Sequence, residues 1–388
     1  MTAPLPWYFT ESEDGADWVA ARREAIDHVL AAIAESPWSP RLVLRGSMLA
    51  KAWFGAWARE PGDLDFVVHH RRQRPDEPSA EEMFDDLVSD AVAMSRRPGS
   101  TVFIDRRMWR GEIGEDYRYG GLEGTRLILS WHGHGRVGTV QIDFAFDEPL
   151  HDPPELTPIP RSSLPGPPMM LLAVTARQSL AWKIAWLVAD ARSHFNLEAD
   201  EEDHDAGKPG PLGKDLYDAV LLAERCRLPG NLLDEALRSC HLPALFALGA
   251  PLDAIIPVAN DVDWHAFAGE HPLLSGAHEQ FVWRLVVALA PTFESGPSRL
   301  LPLLTEHCRH ELPALREVLS CDGMTGLARW FADSRHSVAE RIVLVCELFG
   351  ASCSMSQAAD LVARLPADRI PGGHADPRQI ARCLARQP

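Results

Sequence analysis

The stretch Leu42–Val68, LVLRGSMLAKAWFGAWAREPGDLDFVV, decides how this chain is read. A short apolar segment, Arg41–Leu44, has the character of a strand. It runs through a Gly46-Ser47 turn into a helical segment, Met48–Trp57, that Ser47 is placed to cap. Pro61-Gly62 breaks the chain, and a second apolar run, Leu64–Val68, begins inside Asp63-Leu64-Asp65. Residues i and i+2 of a strand share a face and lie roughly 6–7 Å apart. Asp63 and Asp65 are therefore expected to project together, beside the backbone amides of Gly46 and Ser47. Paired carboxylates next to a small-residue turn suit a divalent metal that carries nucleotide phosphates.

Working outward, Asp14–Glu35 has apolar residues at helical spacing (Trp18, Ile26, Val29, Leu30, Ile33), and Ala80–Met94 reads as an amphipathic acidic helix. Thr101–Ile104, Arg126–Trp131 and Gly138–Phe146 read as strands, the last two joined by a glycine-bearing hairpin turn that includes His132-Gly133-His134. Residues 1–150 are thus expected to form an α/β domain, a small mixed sheet flanked by helices. Eight prolines across Asp147–Pro168 predict an extended linker over 151–168. Beyond it strand signals fade, and the fold is expected to turn mostly α-helical. Met169–Ala191, Lys214–Arg227 and Thr325–Leu365 read as helical, and the polar, acidic stretch Asn196–Gly213 as a loop. The expected division is a helical domain over 169–295 that completes a cleft, then a helical region over 296–388 with no assigned role.

The formal charge of −17 excludes a protein that coats nucleic acid electrostatically. The one sizeable stretch of positive balance is Val92–Arg136, with eight arginines against five acids. Seven cysteines, none in the first 225 residues, read as reduced thiols rather than a disulfide framework. The N-terminus lacks the basic and apolar regions of a signal peptide, and no apolar run reaches the roughly 18–20 residues that span a bilayer. A cytoplasmic protein without membrane contact is expected. P-loop, GxSxG and HExxH motifs are absent from the sequence.

A two-metal site needs a third acid on a neighbouring strand. Asp143, inside the apolar run Thr139–Phe144, is the candidate, because a buried acid without a partner is strongly disfavoured. The alternatives are an exposed strand end or a salt bridge to an arginine. His69-His70 follows the acidic pair and carries no clear role. Downstream, Lys183 stands alone in the apolar helix Ser179–Leu187, and Lys214-Asp215-Leu216-Tyr217-Asp218 opens another helix. A lysine on a packed helix supplies a fixed charge for phosphate, or it snorkels to solvent. Asp215 and Asp218 lie three apart on one helix face. Either could orient Lys183 or contact base or ribose; Asp215 could equally cap the helix and Asp218 bridge to a local arginine.

The ordered set Gly46-Ser47, Asp63-x-Asp65, Asp143 resembles the nucleotidyltransferase superfamily of the polymerase-β kind. There a glycine-serine turn holds triphosphate, and the DxD pair with a third acid binds Mg²⁺. The added succession of Lys183 and KDLYD, spanning about Arg41 to Arg227, is similar to the AbiEii/AbiGii-type nucleotidyltransferase toxins. The resemblance implies an NTP substrate and Mg²⁺ (or Mn²⁺) at Asp63, Asp65 and Asp143. It also implies triphosphate at Gly46, Ser47 and Lys183, with Asp215 and Asp218 near the nucleotide. A toxin of a toxin–antitoxin pair follows, with a cognate antitoxin as partner and the tRNA 3′ end as leading acceptor, guided by the arginines of Arg96–Arg136. Two other readings stay open: transfer to a protein or a small molecule such as an antibiotic, and a nucleotide- or antitoxin-binding module with little turnover.

Overall fold

The two apolar runs that flank the Gly46 turn become neighbouring strands in the computed structural model, β1 (Leu42–Arg45) and β2 (Leu64–Val68). The structure describes residues 13–69, 78–112, 124–146, 148–197, 212–240, 255, 258–294, 308–333, 336, 338–354, 357–358 and 361–362. His70, Arg118 and the acidic tract Glu198–Asp205 lie outside the described residues.

β1 and β2 sit inside a seven-stranded mixed sheet with β3 (Val102–Glu112), β4 (Gly124–Gly133), β5 (Arg136–Phe146), β6 (Glu155–Ile159) and β7 (Met169–Ala173). The order is β3-β4-β5-β2-β1-β7-β6. β2 runs antiparallel to β1 and parallel to β5, and β7 runs parallel to β1. The expected β4–β5 hairpin is present. Its two-residue turn places His134 at φ 49° and Gly135 at φ 68°, the positive-φ pair that matches strand twist.

Three helices belong with the sheet: α1 (Glu13–Glu35), α2 (Ser47–Phe54) and α3 (Pro78–Met94). α1 buries Ala21, Ala25, Ile26, Val29, Leu30 and Ile33, the stripe that three-and-four spacing produces, and packs on α3 and on the sheet. Phe66 and Phe144, in register on β2 and β5, stack at 5.9 Å, and Phe84 of α3 meets Phe144 edge-on at 5.2 Å. Strand alternation then sends the preceding residues, Asp65 and Asp143, to the opposite face.

The sheet continues beyond residue 150, and here the structure differs from the sequence expectation. Within the proline-rich stretch, Glu155–Ile159 is a strand paired with β7, and Met169–Ala173 is a strand rather than the start of a helix. Proline is tolerated in β6 because that strand lies at the sheet edge, where one side of the ladder needs no donor. The β6–β7 connection is anchored by Asp27 of α1. Its fully buried carboxylate accepts backbone N–H bonds from Ser162, Ser163 and Leu164 at 2.9–3.0 Å.

The chain divides into two compact units, residues 1–179 with 269–274, and 180–268 with 275–388. The division falls within α4 (Ala176–Leu197). The second unit is helical, as expected, with α5 (Gly213–Arg225), α6 (Gly230–Ser239), α7 (Trp264–Glu270), α8 (His278–Glu294), α9 (Leu312–Asp333) and α10 (Val338–Phe349). Tyr217, Trp264, Phe267 and Phe281 form its aromatic core, with ring centroids 4.6–5.5 Å apart. Burial pushes the Tyr217 hydroxyl up to about 12. Among the described residues, no helix is long and apolar enough to cross a membrane.

Candidate active site

The parallel pairing of β2 and β5 sets Asp65 directly opposite Asp143. Asp63 lies one residue before β2, on the same side as Asp65 by strand alternation. One carboxylate oxygen from each of the three lies within 4.8 Å of the others. Asp143 is buried; Asp63 and Asp65 are partly exposed. Three hard oxygen donors at this spacing fit a divalent cation of the Mg²⁺ or Mn²⁺ kind.

The turn beside them is shaped by Gly46. It is the N-cap of α2 at φ 77° and ψ −154°, a conformation that side chains other than glycine's avoid. A Cβ here would overlap the Asp65 carboxylate, with Asp65 Cγ only 3.0 Å away. The close approach that the sequence suggested is therefore tight enough to demand glycine. Gly46→Ala is expected to cost about 2–4 kcal/mol from the strained backbone and the clash, and to displace Asp65. Thermal melting beside a Mn²⁺-binding titration checks this; wild-type values in both would sink it.

Ser47 departs from expectation. It is the first helical residue rather than the cap, because Gly46 already occupies the cap position. Ser47 is 2% exposed, and its buried hydroxyl has no hydrogen-bond partner among the described residues. A buried hydroxyl left open costs about 1–3 kcal/mol unless a ligand satisfies it. At the N-terminus of α2 that ligand is best an anion.

Cationic side chains hold this region in shape. Arg126, opposite Asp143 on β4, donates through Nε and Nη2 to the two Asp143 oxygens, each at 2.8 Å, and Gln141 Nε2 donates to Oδ2 at 3.1 Å. The arginine salt bridge weighed from the sequence and the acidic cluster are thus both present at Asp143. Arg22 of α1 donates to the carbonyls of Pro61 and Gly62 at 2.7 Å each, immediately before Asp63. Glu60 is gripped by Arg23 and Lys51, both at 2.6 Å. Arg45, the last residue before the turn, pairs with buried Glu148 at 2.5 Å. Burial pushes the Glu148 carboxyl up, and the Arg45 guanidinium opposes that shift. None of Arg22, Arg45, Gln141 or Glu148 stood out in the sequence, since each acts through a partner 2 to 103 residues away.

In the second unit, Lys183, Asp215 and Asp218 come together. Lys183 Nζ lies 2.6 Å from Asp215 Oδ1 and 3.3 Å from Asp218 Oδ2, with all three residues at most 7% exposed. The ammonium also sits 5.3 Å from the Trp186 ring centroid, within cation–π range. The snorkelling and helix-cap alternatives give way to a buried, charge-paired cluster. His69 is exposed, and His132 stands 3.4 Å from Asp105, away from the acidic triad in the strand register.

Residues 28–288 match the family model described as Nucleotidyl transferase AbiEii toxin, Type IV TA system. Among solved structures, a protein of H. pylori described as a candidate nucleotidyltransferase is 11% identical, with a TM-score of 0.39, over 73% of this chain and 96% of that one. JHP933 from Helicobacter pylori is 12% identical, with a TM-score of 0.37, over 78% and 98% of the two chains. No curated protein matches.

Proposed function

The chain belongs to the AbiEii nucleotidyl transferase toxin family, and from that premise we propose that it transfers NMP from an NTP to the 3′ end of tRNA. It is a nucleotidyltransferase by membership; the acceptor and the metal dependence are the proposal. The observation that supports the metal dependence is the triad of Asp63, Asp65 and Asp143 beside a turn that only glycine can make, and the tRNA acceptor is what the resemblance implies.

Gly46 and Ser47 offer backbone amides, and Ser47 its unpaired hydroxyl, to phosphate oxygens. Asp63, Asp65 and Asp143 would hold Mg²⁺ or Mn²⁺, which would stabilise charge on the α-phosphoryl group and favour an ionised acceptor hydroxyl. Lys183, paired with Asp215 and Asp218 in the second unit, is the cation that the resemblance assigns to phosphate. The acceptor hydroxyl gives up its proton to solvent as its oxygen bonds to the α-phosphorus, the bond from that phosphorus to the α–β bridging oxygen breaks, and pyrophosphate leaves. Positioning and charge neutralisation carry most of the acceleration. An antitoxin is the protein partner that the family implies, and the cytoplasm is where NTP, tRNA and antitoxin meet.

One observation favours a second acceptor class. Two of the arginines expected to guide RNA are spent on carboxylates, Arg97 on Glu35 at 2.8 Å and Arg126 on Asp143. With a charge of −17, a protein or a cationic small molecule is the second reading. Incubation with each labelled NTP, Mg²⁺, and total RNA or cell extract separates them. Label on tRNA is the expected result, and label on protein or a small molecule instead replaces tRNA as acceptor. Tight NTP binding without transfer to any acceptor overturns the enzymatic assignment.

A further inference from the structure

We infer that Arg126 and Gln141 are positioning residues that hold Asp143 as a one-point ligand and so bias the acidic triad toward a small octahedral cation over Ca²⁺. This rests on the reading of the triad as a metal site. An ionised carboxylate has about four lone-pair sites, two on each oxygen. Arg126 Nη2 and Gln141 Nε2 both donate to Oδ2, which fills that oxygen. Arg126 Nε donates to Oδ1, which leaves one lone pair open there. Among the described residues Asp143 has no other side-chain partner.

Two consequences follow from that count. Asp143 can reach an ion through Oδ1 alone and cannot chelate it with both oxygens. It also has a single open acceptor, so an Asp143 that ligates the ion has no lone pair left to accept a proton. Ca²⁺ accepts six to eight oxygens and readily takes bidentate carboxylates, whereas Mg²⁺ demands an octahedron of single-point ligands. A planar guanidinium fork fixes both the plane and the rotation of the carboxylate, which an ammonium cannot do. Arg126 keeps its hold from the adjacent strand, where the register sets it directly opposite Asp143. Both donors are on the sheet itself and so share its rigidity.

The test uses the full chain without nucleotide. Mn²⁺ binding is followed by its paramagnetic resonance signal, and the bound ion is then displaced with Mg²⁺ and, separately, with Ca²⁺. Arg126→Lys keeps the charge and loses the fork; Gln141→Ala removes one donor and spares the ion pair. Both are expected to narrow the preference for Mg²⁺ over Ca²⁺, by about tenfold in Arg126→Lys and less in Gln141→Ala. A purely structural role would weaken both ions alike and leave their ratio unchanged. An unchanged ratio in both variants overturns the inference while leaving the metal site standing. Asp65→Asn is the separate control: loss of Mn²⁺ binding there supports the metal site, and wild-type binding there overturns that reading and the inference with it.

Discussion

Asp65→Asn is expected to lower nucleotidyl transfer by about a thousandfold or more with the chain still folded. The substitution keeps the shape of the side chain and removes the charge. Asp65 is held in the sheet by backbone pairing, with Arg45 on one side and Asp143 on the other, and that pairing does not involve the carboxylate. Its side chain is partly exposed, so an amide there leaves no deeply buried group stranded. Its carboxylate lies within 4.8 Å of the other two acids and occupies the space that a Cβ at position 46 would need. Single-turnover transfer rates beside a thermal melt decide the matter. A near-normal rate with Asn at this position would remove the triad from the chemistry, whatever the family match says.

The largest expected effect on stability is at Lys183. Lys183→Met leaves Asp215 and Asp218 buried at 3% and 1% exposure without the ammonium between them. Breaking a buried pair by removing one member typically costs about 3–5 kcal/mol, because the remaining charge has lost its compensation. The melting temperature of Lys183→Met should fall accordingly, and transfer should be lost with it. That loss alone would not separate a phosphate ligand from a structural cation. The triple variant Lys183→Met, Asp215→Asn, Asp218→Asn does, because replacing a whole buried ionic group by neutral residues is often close to neutral in stability. Recovered melting without recovered transfer assigns the Lys183–Asp215–Asp218 cluster as a whole to the nucleotide. Recovery of both would confine it to holding the helices together.

The parts of the fold legible in the sequence are those where one local signal had no competitor. The Leu64–Val68 strand stands between a Pro-Gly break and an exposed histidine, and the β4–β5 turn carries the glycine that a positive-φ pair needs. β7 was not legible, because five apolar residues running into an apolar helix give no period by which to tell strand from helix. β6 was hidden by Pro158, a residue that argues against a central strand but is harmless at an edge. The acids of the site were legible because carboxylates in apolar runs call for an explanation. Their supports were not: nothing in the sequence sets Arg126 opposite Asp143 until the register of β4 on β5 is known. At Ser47 the general preference of serine for the cap position points the wrong way, because here the cap must be a residue without a side chain.

The grip of Arg22 on the carbonyls of Pro61 and Gly62 gives the acidic triad an uneven compliance. Asp65 and Asp143 ride on paired strands and are stiff. Asp63 rides on the loop, which α1 stays from outside through Arg22 at Pro61 and Gly62 and through Arg23 at Glu60. An ion drawing the three ligands together would be met by yielding at Asp63 first, against the hold of Arg22. Through Arg22, α1 thus holds the one member of the triad that no strand carries, although it precedes all three acids in the chain.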